Sequence, residues 1–421
     1  MASNRVKLEG TRIDMWAFIK SAIVFGVIAW VNPRRALWLV WLLIPTYLVK
    51  LSVGGLPTNL FELLVVVSTV VMVAKSPRVA FGSLWSTTRS LGWAGGLLLL
   101  GLIIGTAVSP NLQLGLGIFK GWFVVPFLLY WLTTWLLRRE DLNYYITALV
   151  LSTVPLLLMA VWQVVTNQFI TVDGRASGWF VSANYLSMYL VPILLLGIIL
   201  VQTGKPWQRW LTYLTWGLGG VALFFSFSFG GWLGLVGAML VWAVLHWHSL
   251  RWEWIGVVIL PVVAIVNQWN SPRFQTMVNL TARSSVSVRW QVWQTAFLMI
   301  KKHWFAGIGL GEFRDQYLNY ANQLFSPPWE TAILHAHNVY LQFWINTGLL
   351  GVVGWVWLVV NFFCRLARQL TPQTIVLITA MSAVLIHGLV DSTYWKNDLA
   401  TLFWLLFAMM TIVTRPSEKV N

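Results

Sequence analysis

The chain alternates long apolar runs with short polar breaks over most of its length. Runs of spanning length fall near 36–53, 58–74, 91–108, 119–137, 143–166, 183–201, 210–227, 229–246, 254–268, 335–361, 373–390 and 399–414, each bounded by proline, glycine or charge. A hydrocarbon core about 30 Å thick takes about 20 residues of helix to cross, so these runs read as transmembrane helices. The pattern predicts an all-α polytopic membrane protein with about twelve spans. Residues 16–31 are also apolar, but Lys20 interrupts them and Arg5, Lys7 and Arg12 precede them. They read as an interfacial or re-entrant helix rather than a thirteenth span, and no small-residue cleavage site marks them as a signal peptide. The expected organisation is a cytoplasmic N-terminus and interfacial segment (1–35), helices (36–268), one long loop (269–334), further helices (335–414) and a tail (415–421).

Composition sharpens this picture. With 58% hydrophobic and 10% charged residues and a mean hydropathy of +0.72, the chain is far from a soluble domain, in which about 25% of residues are charged. The net charge of +15 is scattered through short loops, which excludes a nucleic-acid-binding domain. Those charges follow the positive-inside rule. If Arg34 and Arg35 are cytoplasmic, the same side gathers Lys75, Arg78, Arg89, Arg138, Arg139, Lys205, Arg209, Arg251, Arg365, Arg368, Arg415 and Lys419, whereas the opposite short loops hold only Lys50, Lys120, Arg175 and Lys396. The long loop then lies outside. Many of the 29 tryptophans stand near run ends, among them Trp38, Trp41, Trp131, Trp135, Trp252, Trp254 and Trp404, and read as headgroup anchors. The single cysteine, Cys364, excludes an intramolecular disulfide and a multi-cysteine metal site.

Polar groups concentrate at the outer mouth. In "HAHNVYLQFWINTGLLG", His335 to Gly351, residues Asn338, Gln342 and Asn346 are spaced to form one polar stripe down a helix. Gly348, Gly351 and Gly354 permit close approach of another helix. In residues 286–304, Trp290, Trp293, Phe297, Ile300 and Trp304 recur at helical spacing, as in an amphipathic helix lying on the outer face. "GIGLGEF", Gly307 to Phe313, has the glycines of a nucleotide loop but neither a preceding strand nor a P-loop lysine, so it does not read as one. His387 and Asp391 are four apart and face each other if the helix continues; Asp391 then either fixes an arginine or a histidine in the site or makes a helix-end ion pair. Tyr394 and Lys396 close the same stretch as candidate substrate contacts.

His-Asn followed by nine residues and Gly-x-x-Gly, after a long outer loop, resembles the signature of the O-antigen ligase and Wzy-type polymerase superfamily. "GRASGWFVSANYLSMYLVP", Gly174 to Pro192, resembles its arginine-bearing loop leading into an asparagine-containing helix. "SVRWQVWQTAFLMIKKHWFAGIGLGEF", Ser287 to Phe313, resembles its arginine-aromatic helix and glycine-rich turn. The resemblance implies a GT-C-like helical fold in a bacterial inner membrane, with the site facing the periplasm. It further implies metal-independent, inverting glycosyl transfer without a cofactor, from a polyprenyl-diphosphate-linked glycan (undecaprenyl diphosphate as carrier) to a hydroxyl of a glycan or lipid A core, in lipopolysaccharide or surface polysaccharide assembly.

On that reading His337 is the general base, because an imidazole titrates near neutrality. Arg175 and Arg289 are the diphosphate clamp, because a guanidinium is a permanent, bidentate phosphate donor. Asn338, Gln342, Asp391, His387, Asn184 and Tyr394 are the supporting residues. Acids on the outer side are few, and Glu312 with Asp315 is the one close pair near a motif, which argues against a hard-cation site. Ligase and repeat-unit polymerase share donor and base and stay unseparated here. A transporter, for bicarbonate or another solute, is the alternative from another class; the interior of the predicted spans has almost none of the ionisable groups that transporters keep near the midplane. A purely structural or partner-binding membrane protein is the third reading, and it leaves the polar mouth unexplained.

Overall fold

An asparagine, serine or threonine at the cap position opens most of the helices in the computed structural model, and in three of them a proline follows it directly. It describes residues 15–53, 56–246 and 284–415, together with Val266 and Gln275. Helix α1 (Met15–Val31) leads to α2 (Pro33–Leu42), whose cap Asn32 accepts from the Arg35 amide. A 3-10 turn (Ile44–Leu48) and an antiparallel hairpin, β1 (Lys50–Val53) with β2 (Leu56–Asn59), bring the chain to α3 (Leu60–Lys75). Then come α4 (Pro77–Ala107) and α5 (Leu112–Phe119), the latter joined through one π turn to α6 (Val125–Leu136). They are followed by α7 (Leu142–Thr166), α8 (Ala183–Thr203), α9 (Pro206–Ser226) and α10 (Phe229–Leu245). The last group is α11 (Ser285–Lys302), α12 (Phe313–Ala321), α13 (Val339–Ala367), α14 (Pro372–His387) and α15 (Asn397–Val413).

Among the described residues, five helical stretches are long and apolar enough to cross a membrane: 77–107, 112–136, 139–166, 183–203 and 339–367. Shorter apolar helices cover 18–31, 229–245, 372–387 and 397–413. The protein is thus an all-α, multi-pass membrane protein. The run near 254–268 lies outside the described residues, as do Arg251, Trp252, Trp254, residues 1–14, the start of the long loop and the tail from 416. Other runs are cut differently from the hydropathy pattern. Residues 36–53 hold only the last seven residues of α2 before Pro45 and the hairpin end the helix. The polar stretch from 77 is already helical, and α4 breaks at Gly92 (φ 59°). The segment expected at the interface, α1, lies along α3, with Gly26 beside Val67 and the Lys75 ammonium on the Trp30 carbonyl (2.6 Å).

Three of the tryptophans expected as anchors are core residues: Trp41, Trp131 and Trp404 are buried. Their indole N–H groups reach Thr133, Ser83 and Tyr394. Position at a run's end says how deep a ring sits, not whether its face of the helix meets lipid or a neighbour. At one end of the bundle basic groups meet other elements: Arg34 pairs with Asp141, Arg139 with Gln373, and Arg415 with the Leu137 carbonyl. Polar loops gather at the other end.

Helix α13 is broken at Gly348 (φ 64°), and the glycine-rich loop 305–312 fills the break. Leu349 N–H donates to the Phe305 carbonyl (3.0 Å), Ile308 N–H to Ile345 (2.8 Å) and Leu310 N–H to Gly105 of α4 (3.0 Å). Glu312, read as half of an acidic pair, is buried and accepts from Ser109 Oγ (2.7 Å) and the Asn111 amide (3.0 Å). The glycines of both motifs are therefore one joint. A Cβ at Gly348 would overlap the Phe305 carbonyl, in a conformation that only glycine adopts readily. Gly348→Ala is expected to cost on the order of 4 kcal/mol, the range of severe core defects, with thermal unfolding in detergent as the measurement. A loss below about 0.5 kcal/mol, the size of an ordinary surface change, would refute the joint.

Candidate functional site

Arg175 sits on a loop that is hydrogen-bonded to itself before it enters α8. Thr171 Oγ donates to the Arg175 carbonyl (2.8 Å) and accepts from the Arg175 amide (2.9 Å). Gln163 at the end of α7 braces the following turn, its Oε1 accepting from Ser177 (2.9 Å) and Gly178 (3.1 Å). The guanidinium is directed by three acceptors: Asp173 (2.6 Å), Asn184 Oδ1 (3.1 Å) and the Ser226 carbonyl (3.4 Å). Asn184, in the first turn of α8, then donates Nδ2 to Asp391 Oδ2 (2.8 Å).

Asp391 is the centre of the cluster. Helix α14 ends at His387, so Asp391 leaves the helix and does not form the expected pair with that histidine. His387 instead turns to α10, where it packs against Gly230 and Gly234. The buried Asp391 carboxylate accepts from Asn184, lies 3.1 Å from His337 Nδ1 and stands 3.9 Å from Arg289 Nη2. Burial alone would push its pKa up. The hydrogen bond and charge of His337, with the charge of Arg289, outweigh that and hold it well below the usual carboxylate range. A carboxylate can only accept, so His337 Nδ1 carries a proton, and in the neutral imidazole the lone pair is then on Nε2.

His337 is half-exposed and has φ 47°, the left-handed region that costs a branched or ring-bearing residue about 1 kcal/mol. Its neighbours hold it there. Trp293 Nε1 donates to its carbonyl (3.2 Å), and Asn338 caps α13 by accepting from the Tyr340 and Leu341 amides (3.0 Å each) while donating Nδ2 to Leu389 (2.9 Å). Arg289 Nε donates to the Val390 carbonyl (2.8 Å), and Nη1 donates to Ser285. Arg289 and Trp293 thus form the face of α11 that meets the site. The expected aromatic face is split: Trp290, Phe297 and Trp304 are exposed, whereas Val292, Ala296, Met299 and Ile300 pack on α12 and α13.

The structure brings together Arg175, Asn184, Asp391, His337 and Arg289, with Asn338 alongside. It does not bring the other candidates there. Gln342 Oε1 accepts from the Ala336 amide (2.6 Å) and Asn346 Oδ1 from Gly311 (2.8 Å), so the expected polar stripe ties down loops. Tyr394 is buried among Phe123, Phe343 and Phe403, donating to the Trp122 carbonyl (2.9 Å). Three features escape sequence reasoning: the left-handed His337, the brace of Gln163, and an aromatic box around Lys396 built from Tyr47, Phe180 and Tyr185. Gln163 stands eleven residues before the Gly174 motif and has no spacing signal of its own. Among the described residues, no group of three or more His, Cys, Asp or Glu side chains is placed to hold a metal ion.

Burial and the charge of His337 pull the pKa of His335 down to about 4. A histidine with a lower pKa folded than unfolded (about 6.5) binds fewer protons when folded, so acid opposes folding as pH falls from about 6.5 towards 4. Asp391 acts in the same sense lower down: its stabilisation is complete above the unfolded carboxylate pKa of about 3.9 and is lost as pH falls through its folded value. Thermal unfolding from pH 7.5 to 4.5 should therefore show falling stability, with the slope between pH 6.5 and 4.5 reduced in His335→Gln. An unchanged slope in that variant would assign the loss to other groups.

Fold and site together define a multi-pass membrane protein with a histidine-carboxylate-arginine cluster where helix ends meet at one mouth. Residues 214–356, about a third of the chain, match the family described as O-antigen ligase, so this stretch is similar to membrane enzymes of polysaccharide assembly. No curated protein matches the chain. The matched segment holds Arg289 and His337; Arg175, Asn184 and Asp391 reach the site from outside it.

Proposed function

We propose that this protein transfers a glycan from a polyprenyl-diphosphate carrier to an acceptor hydroxyl at the periplasmic face of a bacterial inner membrane, in lipopolysaccharide or surface polysaccharide assembly. The observation that carries this reading is the His337–Asp391 pair, with Arg289 on one side and Asn184 and Arg175 on the other. His337 Nε2 takes the acceptor proton as the acceptor oxygen bonds to the anomeric carbon. The bond from that carbon to the diphosphate oxygen breaks on the opposite face, which inverts the configuration. Arg175 and Arg289 bear the charge that develops on the leaving diphosphate, so the step needs no metal. Asp391 fixes the imidazole tautomer and stabilises the imidazolium.

An apolar cleft of about 580 Å³ is lined by Leu42, Leu43, Pro45, Leu151, Trp179 and Val181 among others, the last two from the segment between Arg175 and Asn184. It suits the isoprenoid part of the carrier. The basic end of the bundle, on the positive-inside rule, lies in the cytoplasm, which puts the mouth outside.

The test is reconstitution of purified protein with polyprenyl-diphosphate glycan and candidate acceptors, following polyprenyl diphosphate release and product size together. Release with a single addition marks a ligase, and a ladder marks a polymerase. No release from any donor by folded protein would overturn the reading and direct the work to solute uptake.

A further inference from the structure

Lys396 ends the loop that carries Asp391, and its ammonium is inside the protein. Nζ lies 4.1 Å from the ring centres of Phe180 and Tyr185, 5.1 Å from that of Tyr47, and 3.5 Å from Asp398 Oδ2. The Lys396 side chain is 14% exposed and that of Asp398 is fully buried. Around it stand the Tyr47 and Tyr185 hydroxyls, Lys50 and His335, so Asp398 is the anion it meets. An ammonium is costly to bury, and a methionine would fill an aromatic box without that cost. What the cation adds is direction. It is attracted to the faces of three rings and to one carboxylate at the same time, and only one position of the chain satisfies all four.

The box joins the two halves of the site. Tyr185 directly follows Asn184, and Phe180 lies between Arg175 and Asn184 on the same segment; Lys396 is five residues beyond Asp391. The Asn184–Asp391 hydrogen bond (2.8 Å) is a direct polar link between these segments. We infer that Lys396 is a positioning residue: caged by Tyr47, Phe180 and Tyr185, it clamps the 388–396 loop onto the 175–185 segment and so holds Asp391 in register with Asn184 and His337. This rests on the transfer reading above. Tyr47 and Phe180 also stand between residues that line the apolar cleft, Thr46 with Leu48 and Trp179 with Val181, so the clamp shares a wall with it.

The test compares wild type, Lys396→Met and Lys396→Arg, purified in detergent and checked for monodispersity. Hydrogen exchange is followed on peptides covering 388–396, and transfer is assayed from polyprenyl-diphosphate glycan. Lys396→Met is expected to exchange about tenfold faster in that loop, with the helices unchanged, and to lose about 30-fold in kcat with KM within about twofold, the pattern of a lost transition-state geometry. Lys396→Arg keeps charge and ring contact and should recover most of both. Wild-type exchange in Lys396→Met would overturn the clamp whatever the activity. Faster exchange with wild-type kcat would show that the loop is held but the chemistry does not depend on it, and the positioning role would fall. If the wild type itself releases no polyprenyl diphosphate, the transfer reading fails, and the exchange data still decide the clamp.

Discussion

His337→Ala is expected to abolish release of polyprenyl diphosphate while the protein remains folded and monodisperse. The imidazole is the group in the cluster with a free ring nitrogen that can accept the proton of an acceptor hydroxyl. Removing a positioned base typically costs 10²- to 10⁴-fold. Losing it here also deprives the buried Asp391 of one of its hydrogen-bond donors (3.1 Å), so the upper part of that range is expected. The measurement is single-turnover release in reconstituted membranes, with thermal unfolding as the control. A folded His337→Ala protein with wild-type release would remove the base assignment and leave the arginines as an anion site without chemistry.

Asp391→Asn should have the second largest effect. The substitution preserves volume and can still meet Asn184, but it removes the charge that faces both His337 and Arg289. An amide opposite Nδ1 can donate, which favours the tautomer with its proton on Nε2, where the acceptor hydroxyl must be met. The imidazolium would also lose its counterion. Together these predict a fall in kcat of about 10³-fold or more. Stability should change by only about 1–3 kcal/mol, the range for a changed buried polar partner. Turnover within tenfold of wild type would mean that Asp391 holds the loops together but does not set the imidazole.

Much of the site was legible in the chain because its chemistry demands particular residue types. Arginine before a capped helix, His-Asn ahead of an apolar run, and arginine four residues before a tryptophan each survive as local patterns. What misled was periodicity applied past a helix end. His387 and Asp391 are four apart, but α14 stops at His387, and the two side chains go to different neighbours. Asn338, Gln342 and Asn346 do form a stripe, yet two of the three bind backbone in folded-back loops, because a broken helix and its threaded loop have amides that need acceptors. Hydropathy likewise measured how apolar a segment is without showing which tryptophans face lipid.

Residue order and composition are enough to establish a helical membrane protein, with basic loops that alternate and a histidine, two arginines and an acid near one end of the bundle. Those follow from the solvent: a bilayer requires long apolar helices and keeps charge at their ends. Packing alone made His337, rather than His387, the partner of Asp391, linked Arg175 to it through Asn184, and boxed Lys396 between three rings. Each of these links joins segments far apart in the chain, and a single sequence without its contacts holds no periodic signal for pairs set by packing.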